Sequence, residues 1–145
     1  MTPLVWGLVT GSLLRVAMEA LFPSAGPLSG APVPAMLVTI VVVAVVISPI
    51  VEELFFRGLL QRALARWLEP LGAAIAGTAA VVLGATAFVA LHSAAWGGVI
   101  TWQSLISVLL LGLAAGVLAL LLRSTPAAIT AHAAFNLVGV LFLVA

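Results

Sequence analysis

The chain has 145 residues, of which 65% are hydrophobic and 6% charged, with a mean hydropathy of +1.39. A soluble domain carries about 25% charged residues, so the composition excludes one. Five arginines against four glutamates give a net charge of +1, too small and too scattered for a nucleic-acid surface, and the absence of cysteine removes disulfides, a thiol nucleophile and thiolate metal sites.

A membrane-crossing segment must satisfy its own backbone hydrogen bonds, which leaves helices or a closed barrel. Barrel strands alternate apolar and polar residues, whereas this chain has long unbroken apolar runs. The expectation is an all-α polytopic membrane bundle of five to six transmembrane helices, forming one domain over residues 1–145.

The first helix is expected from Pro3 to Leu21. No positive residue precedes its apolar stretch, so it reads as a retained helix and not a signal peptide. Arg15 and Glu19 stand four apart on one face and read as a neutralising surface pair near the membrane edge. Phe22 to Pro34 holds four prolines and two glycines and reads as a loop.

A long helix is expected from Ala35 to about Leu68, kinked at Ser48-Pro49, because Ala35–Ile47 alone falls short of the roughly 20 residues a span needs. The alternative is a break at Pro49 and two shorter helices. Arg57, Arg62, Arg66 and Trp67 make its end arginine-rich, and the positive-inside rule puts that end in the cytoplasm. Glu69-Pro70-Leu71-Gly72 is a turn.

The third helix is expected from about Ala73 to Ala95, with His92 as its only ionisable group, followed by an interfacial loop from Ala94 to Gln103. Ser104 to Arg123 is the fourth; its Gly112 and Gly116 have the spacing that lets another helix approach closely. Thr125 reads as an N-cap with Pro126 at the first helical position. The last helix runs to about Val144 and carries His132 and Asn136.

Removing the apolar background leaves Glu52, Glu53, Arg57, His92, His132 and Asn136 within the spans. Ionisable residues inside a membrane are costly and mark functional sites. Glu53 and Arg57 are four apart and face each other, whereas Glu52 points ~100° away from Glu53 at 3.6 residues per turn. Glu53 therefore has a local partner and Glu52 faces something else. His132 and Asn136 share a face, as do Phe88 and His92.

At ~1.5 Å rise per residue, Glu52 lies ~15 Å from Arg62 and His132 ~13 Å from Arg123, near mid-membrane. His92 comes out ~35 Å from Trp67 on the same rise, so it meets Glu52 only if the third helix starts late, tilts or begins along the interface.

A carboxylate sharing a water with a histidine is a general base for hydrolysis, and a histidine with an asparagine amide can donate to an oxyanion. Hydrolysis of a peptide or amide inside the membrane fits these groups. Two histidines and a glutamate can also hold a metal, and a polar network that only fixes helix packing stays open.

The motifs Glu-Glu-x-x-x-Arg at Glu52, Glu53 and Arg57, Phe-x-x-x-His at Phe88 and His92, and His-x-x-x-Asn at His132 and Asn136 resemble the CPBP family. These are the CAAX proteases and bacteriocin-processing (Abi) proteins, described as intramembrane glutamic endopeptidases. The resemblance implies a catalytic core at about 35–145. It implies that Glu52 with His92 activates water, that Glu53 supports them and is held by Arg57, that Phe88 is supporting, and that His132 and Asn136 form the oxyanion hole. No metal or other cofactor is implied. The implied partners are a peptide or lipidated protein substrate and membrane lipid. The best-known members remove the last three residues of prenylated CAAX proteins from a cavity open toward the cytosol; the CAAX branch has more helices than this chain has room for. Absence of lysine and an Ala/Leu/Val/Arg bias point to a GC-rich bacterial genome, and so to a multi-pass protein of the bacterial inner membrane.

Overall fold

The computed structural model describes residues 2–23, 34–95, 97–98 and 101–144. Among them are five helices long and apolar enough to cross a membrane, and no strand. We label them α1 (Pro3–Leu21), α2 (residues 34–67), α3 (Ala73–Ala95), α4 (Trp102–Leu122) and α5 (Thr125–Val144). Their outward faces carry exposed apolar side chains such as Leu8, Val38, Ile75 and Leu121, as contact with lipid requires. This is an integral, multi-pass membrane protein.

The α1 and α3 bounds agree with the sequence expectation. Most of the expected Phe22–Pro34 loop, residues 24–33, lies outside the described residues. The long second helix is continuous through Pro49, so the two-helix alternative does not hold. Proline has no N–H and crowds the preceding turn. The helix answers by widening into a π-helical stretch, Val41–Ile47, in which the Ser48 N–H reaches back to the Val43 carbonyl. A second π-helical stretch, Leu54–Leu60, follows Glu53. Such stretches sit often at functional sites, and these two flank the glutamate pair.

Gly72, at φ 94, turns the chain into α3 in a conformation that suits glycine. At the head of α5 the expected cap is displaced by one residue. Thr125 is already helical, and Ser124 Oγ accepts from the Ala127 N–H at 3.2 Å. Thr125 is used otherwise: its hydroxyl accepts from Arg62 at 3.0 Å and ties the ends of α2 and α5.

Close helix contacts rest on glycine. A Cβ on Gly7 or Gly11 would collide with the backbone carbonyls of Ala127 and Ala131, so α1 lies directly on the backbone of α5. On α4, Gly112 and Gly116 let α3 approach: a Cβ there would meet Ala85 at 3.3 Å and Val81 at 3.0 Å. Their carbonyls serve as well. Arg57 donates to the Gly112 oxygen at 2.7 Å and Gln61, one turn on, to the Gly116 oxygen at 3.0 Å. Two donors one turn apart on α2 thus match two acceptors one turn apart on α4.

Candidate active site

Glu53 is fully buried and sits at the meeting of α2, α4 and α5. Its Oε1 accepts from Arg57 at 2.8 Å and from His132 Nδ1 at 2.9 Å. The Arg57 pairing agrees with the four-residue spacing. The His132 bond was not expected, since the local partner had accounted for Glu53 already. Paired with Arg57, the Glu53 oxygen is the acceptor, so His132 donates from Nδ1, and Nε2 is the nitrogen left for other partners.

Glu52 points elsewhere, as helical phase requires. Its Oε2 is buried, lacks a hydrogen-bond partner and lies 3.7 Å from His92 Nε2. That separation is too long for a hydrogen bond. His92 Nδ1 is 2.9 Å from the Phe88 carbonyl, which can only accept. Nδ1 therefore carries a proton, and in the neutral ring Nε2 is the acceptor nitrogen. In that neutral form two acceptors face one another at 3.7 Å, close enough for one donor, such as water, to serve both.

The depth difficulty of His92 disappears once both residues are measured from the same turn. At ~1.5 Å per residue Glu52 lies ~22 Å from Trp67, and His92 ~28 Å from Ala73. The remaining difference is closed in the structure, where Glu52 Oε2 and His92 Nε2 approach to 3.7 Å.

Phe88 holds the two histidines. It is fully buried, with the His92 ring at 4.3 Å and the His132 ring edge-on at 5.7 Å. Phe56 packs edge-on at 5.1 Å, and the Arg57 guanidinium lies 4.8 Å above the ring.

Asn136 Nδ2 donates to the Ala44 carbonyl at 2.6 Å. In the π-helical register the donor for that carbonyl is residue 49, and Pro49 has no N–H. The proline thus frees the acceptor that holds Asn136.

Glu52, Phe88, His92, His132 and Asn136 all line one cavity of about 830 Å³. Glu53 and Arg57 stand behind this wall and are buried. The cavity reaches the end of the bundle where α1 and α3 finish and α4 begins, at Phe22, Ala95 and Gln103. Arg62, Arg66 and Arg123 are at the opposite end. Arg15 and Glu19 also line the cavity and are partly buried, which corrects their reading as a surface pair. Four-residue spacing pairs two charges but does not reveal what they face.

Among the described residues no three His, Asp or Glu side chains gather as a metal-ligand set. The set Glu52, His92 and His132 is divided, because His132 is committed to Glu53.

Fold and cavity together define a membrane-embedded helical protein with carboxylates and histidines gathered inside its apolar span. The sequence pattern of the Rce1-like family, the type II CAAX prenyl endopeptidases, matches residues 34–138, and the chain belongs to that family of membrane CAAX proteases. No curated protein and no solved structure matches the chain.

Proposed function

We propose that the cavity is the active site of a glutamic-type intramembrane endopeptidase acting on a membrane-associated or lipidated protein or peptide. The observation that carries this reading is the buried, unpartnered Glu52 Oε2 set 3.7 Å from His92 Nε2. A water between them gives a proton to Glu52 while its oxygen adds to the scissile carbonyl carbon. The oxyanion that forms is stabilised from α5, by the Asn136 amide and by His132 as the imidazolium, which donates to Glu53 from Nδ1 and to the oxyanion from Nε2. The C–N bond then breaks, and the proton held by Glu52 passes to the leaving amine. Glu53 stays ionised throughout and orients His132. Every step is carried by a side chain of the cavity or its supporting wall.

Two other readings have specific support. The bonds of Glu53 to His132 and Asn136 to Ala44 tie α2 to α5, as they would in a non-catalytic scaffold or immunity protein. A metal-dependent protease would use the same imidazoles. One experiment separates the three. Purified protein is given an S-farnesylated peptide ending in a CAAX sequence, with wild type compared to Glu52→Gln, each with and without chelator. The glutamic mechanism gives a loss of at least ~100-fold in the variant, the scale of general-base catalysis, and no effect of chelator. Equal cleavage by both proteins would sink it, and loss on chelation would favour the metal.

The positive-inside rule places the end bearing Arg62, Arg66 and Arg123 in the cytoplasm. The cavity reaches the other end, so on this reading it opens away from the cytoplasm. A cytosolic arginine end and the cytosol-facing cavity implied by the family resemblance exclude each other in this bundle. We take the arginine rule as the guide, in the inner membrane of a bacterium.

A further inference from the structure

We propose that Arg15 is the substrate-anchoring residue of the cavity, seating the free C-terminal carboxylate of the peptide to be cleaved. This rests on the endopeptidase reading above and adds to it a residue outside the family-matched stretch of 34–138.

The arginines inside the bundle differ in how they are held. Arg57 is tied at both ends, to Glu53 at 2.8 Å and to the Gly112 carbonyl at 2.7 Å. Arg15 has one hydrogen-bond contact, Glu19 at 3.4 Å, at the limit of such a bond, and its Nε is buried with no hydrogen-bond partner. A guanidinium carries five donors in a planar fork that matches a carboxylate. Burying such donors unmade is costly, and a carboxylate arriving in the cavity can recover that cost. Glu19, on the same face, sets the guanidinium in place.

The seat is built. Gly139 lies under the group: a Cβ there would stand 3.1 Å from both Cζ and Nε of Arg15. The Phe135 ring lies beneath Cζ at 5.4 Å, within cation–π range. Around it Met18, Leu111 and Phe135 form an apolar cluster, with Phe22 packed against it. A cation set in an apolar wall suits an apolar segment that ends in a negative charge. A CAAX sequence is such a segment. Three extended residues span ~10 Å at ~3.3–3.6 Å each, and both Arg15 and Glu52 line the one cavity.

The test uses one farnesylated CAAX peptide made twice, as free acid and as C-terminal amide, with wild type, Arg15→Gln and Arg15→Lys. Wild type should favour the acid in kcat/KM by at least ~10-fold, the effect of a charge-assisted pair. In Arg15→Gln the ratio should fall to about one, mainly through KM, and Arg15→Lys should restore part of it. An acid-to-amide ratio unchanged in Arg15→Gln would overturn the proposal. Should neither peptide be cut, the peptidase reading has failed for this substrate, and binding decides the subsite. The acid alone should then raise the thermal unfolding midpoint of Glu52→Gln protein and not of the double variant Glu52→Gln/Arg15→Gln. Equal shifts with acid and amide would overturn the subsite.

Discussion

The Asn136 amide donates to the Ala44 carbonyl at 2.6 Å, and Pro49 is the reason that carbonyl is available. Removing the amide leaves a part-buried acceptor unpaired. Asn136→Ala should lose about 1–3 kcal/mol of stability, the cost of such an orphan, in a denaturant titration in detergent. Pro49→Ala supplies an N–H to the same carbonyl. The double variant should therefore be more stable than the sum of the two single effects, and additive losses would argue against the link.

The adjacent glutamates should respond differently. Glu53 is buried between Arg57 and His132, and truncating one member of a buried pair leaves an uncompensated charge, at a cost of about 3–5 kcal/mol. Glu53→Ala should unfold at much lower denaturant than wild type. Glu52→Gln removes no hydrogen bond made by Oε2 and should leave the unfolding free energy within about 0.5 kcal/mol of wild type, as for substitutions away from buried networks. Comparable destabilisation by both would mean that the two carboxylates are equivalent structural members.

Much of the fold was legible because its punctuation is strong. Pro3 and the Glu69–Gly72 turn fix the ends of α1 and α3, and long apolar runs do the rest. The split between Glu52 and Glu53 follows from helical phase and the four-residue reach to Arg57. What could not be read is long-range or depends on register. His132 finds Glu53 across 79 residues, and no local rule selects that pairing. The π-helical stretches leave no mark in the sequence beyond Pro49, so the free Ala44 carbonyl was invisible. Gly7 and Gly11 have the same spacing as Gly112 and Gly116 and are as readable, but spacing does not say that they face the α5 backbone.

Those two glycines carry the next expectation. Gly11→Ala places a methyl against the Ala131 backbone, and backbone cannot yield as a flexible side chain does. Overpacking of this kind costs about 1–3 kcal/mol. The variant should be less stable and should lose preference for an acid-ended peptide, since Arg15 moves with α1. Gly84→Ala, where a Cβ meets nothing within 4 Å, is the control and should leave both measurements unchanged.

Membrane orientation can be tested cleanly because the chain has no cysteine. Gln103→Cys marks the end the cavity reaches and Arg66→Cys the arginine end, and both positions are exposed. A membrane-impermeant maleimide applied to intact bacterial cells should label Gln103→Cys, and Arg66→Cys only after permeabilisation. The reverse pattern would put the cavity on the cytosolic side.

The seating of α1 on the bare backbone of α5 divides the labour along the chain. Every residue assigned to bond breaking stands between Glu52 and Asn136, whereas the guanidinium that would grip the end of the peptide belongs to α1, which seats on α5 at Gly7 and Gly11 and on the Met18, Leu111 and Phe135 cluster. A change in α1 can therefore alter what is cut without altering how it is cut. If Arg15 anchors the peptide, the first helix is in engineering terms a specificity part, and grafting a different helix that keeps Gly7, Gly11 and Met18 is the economical route to a new substrate.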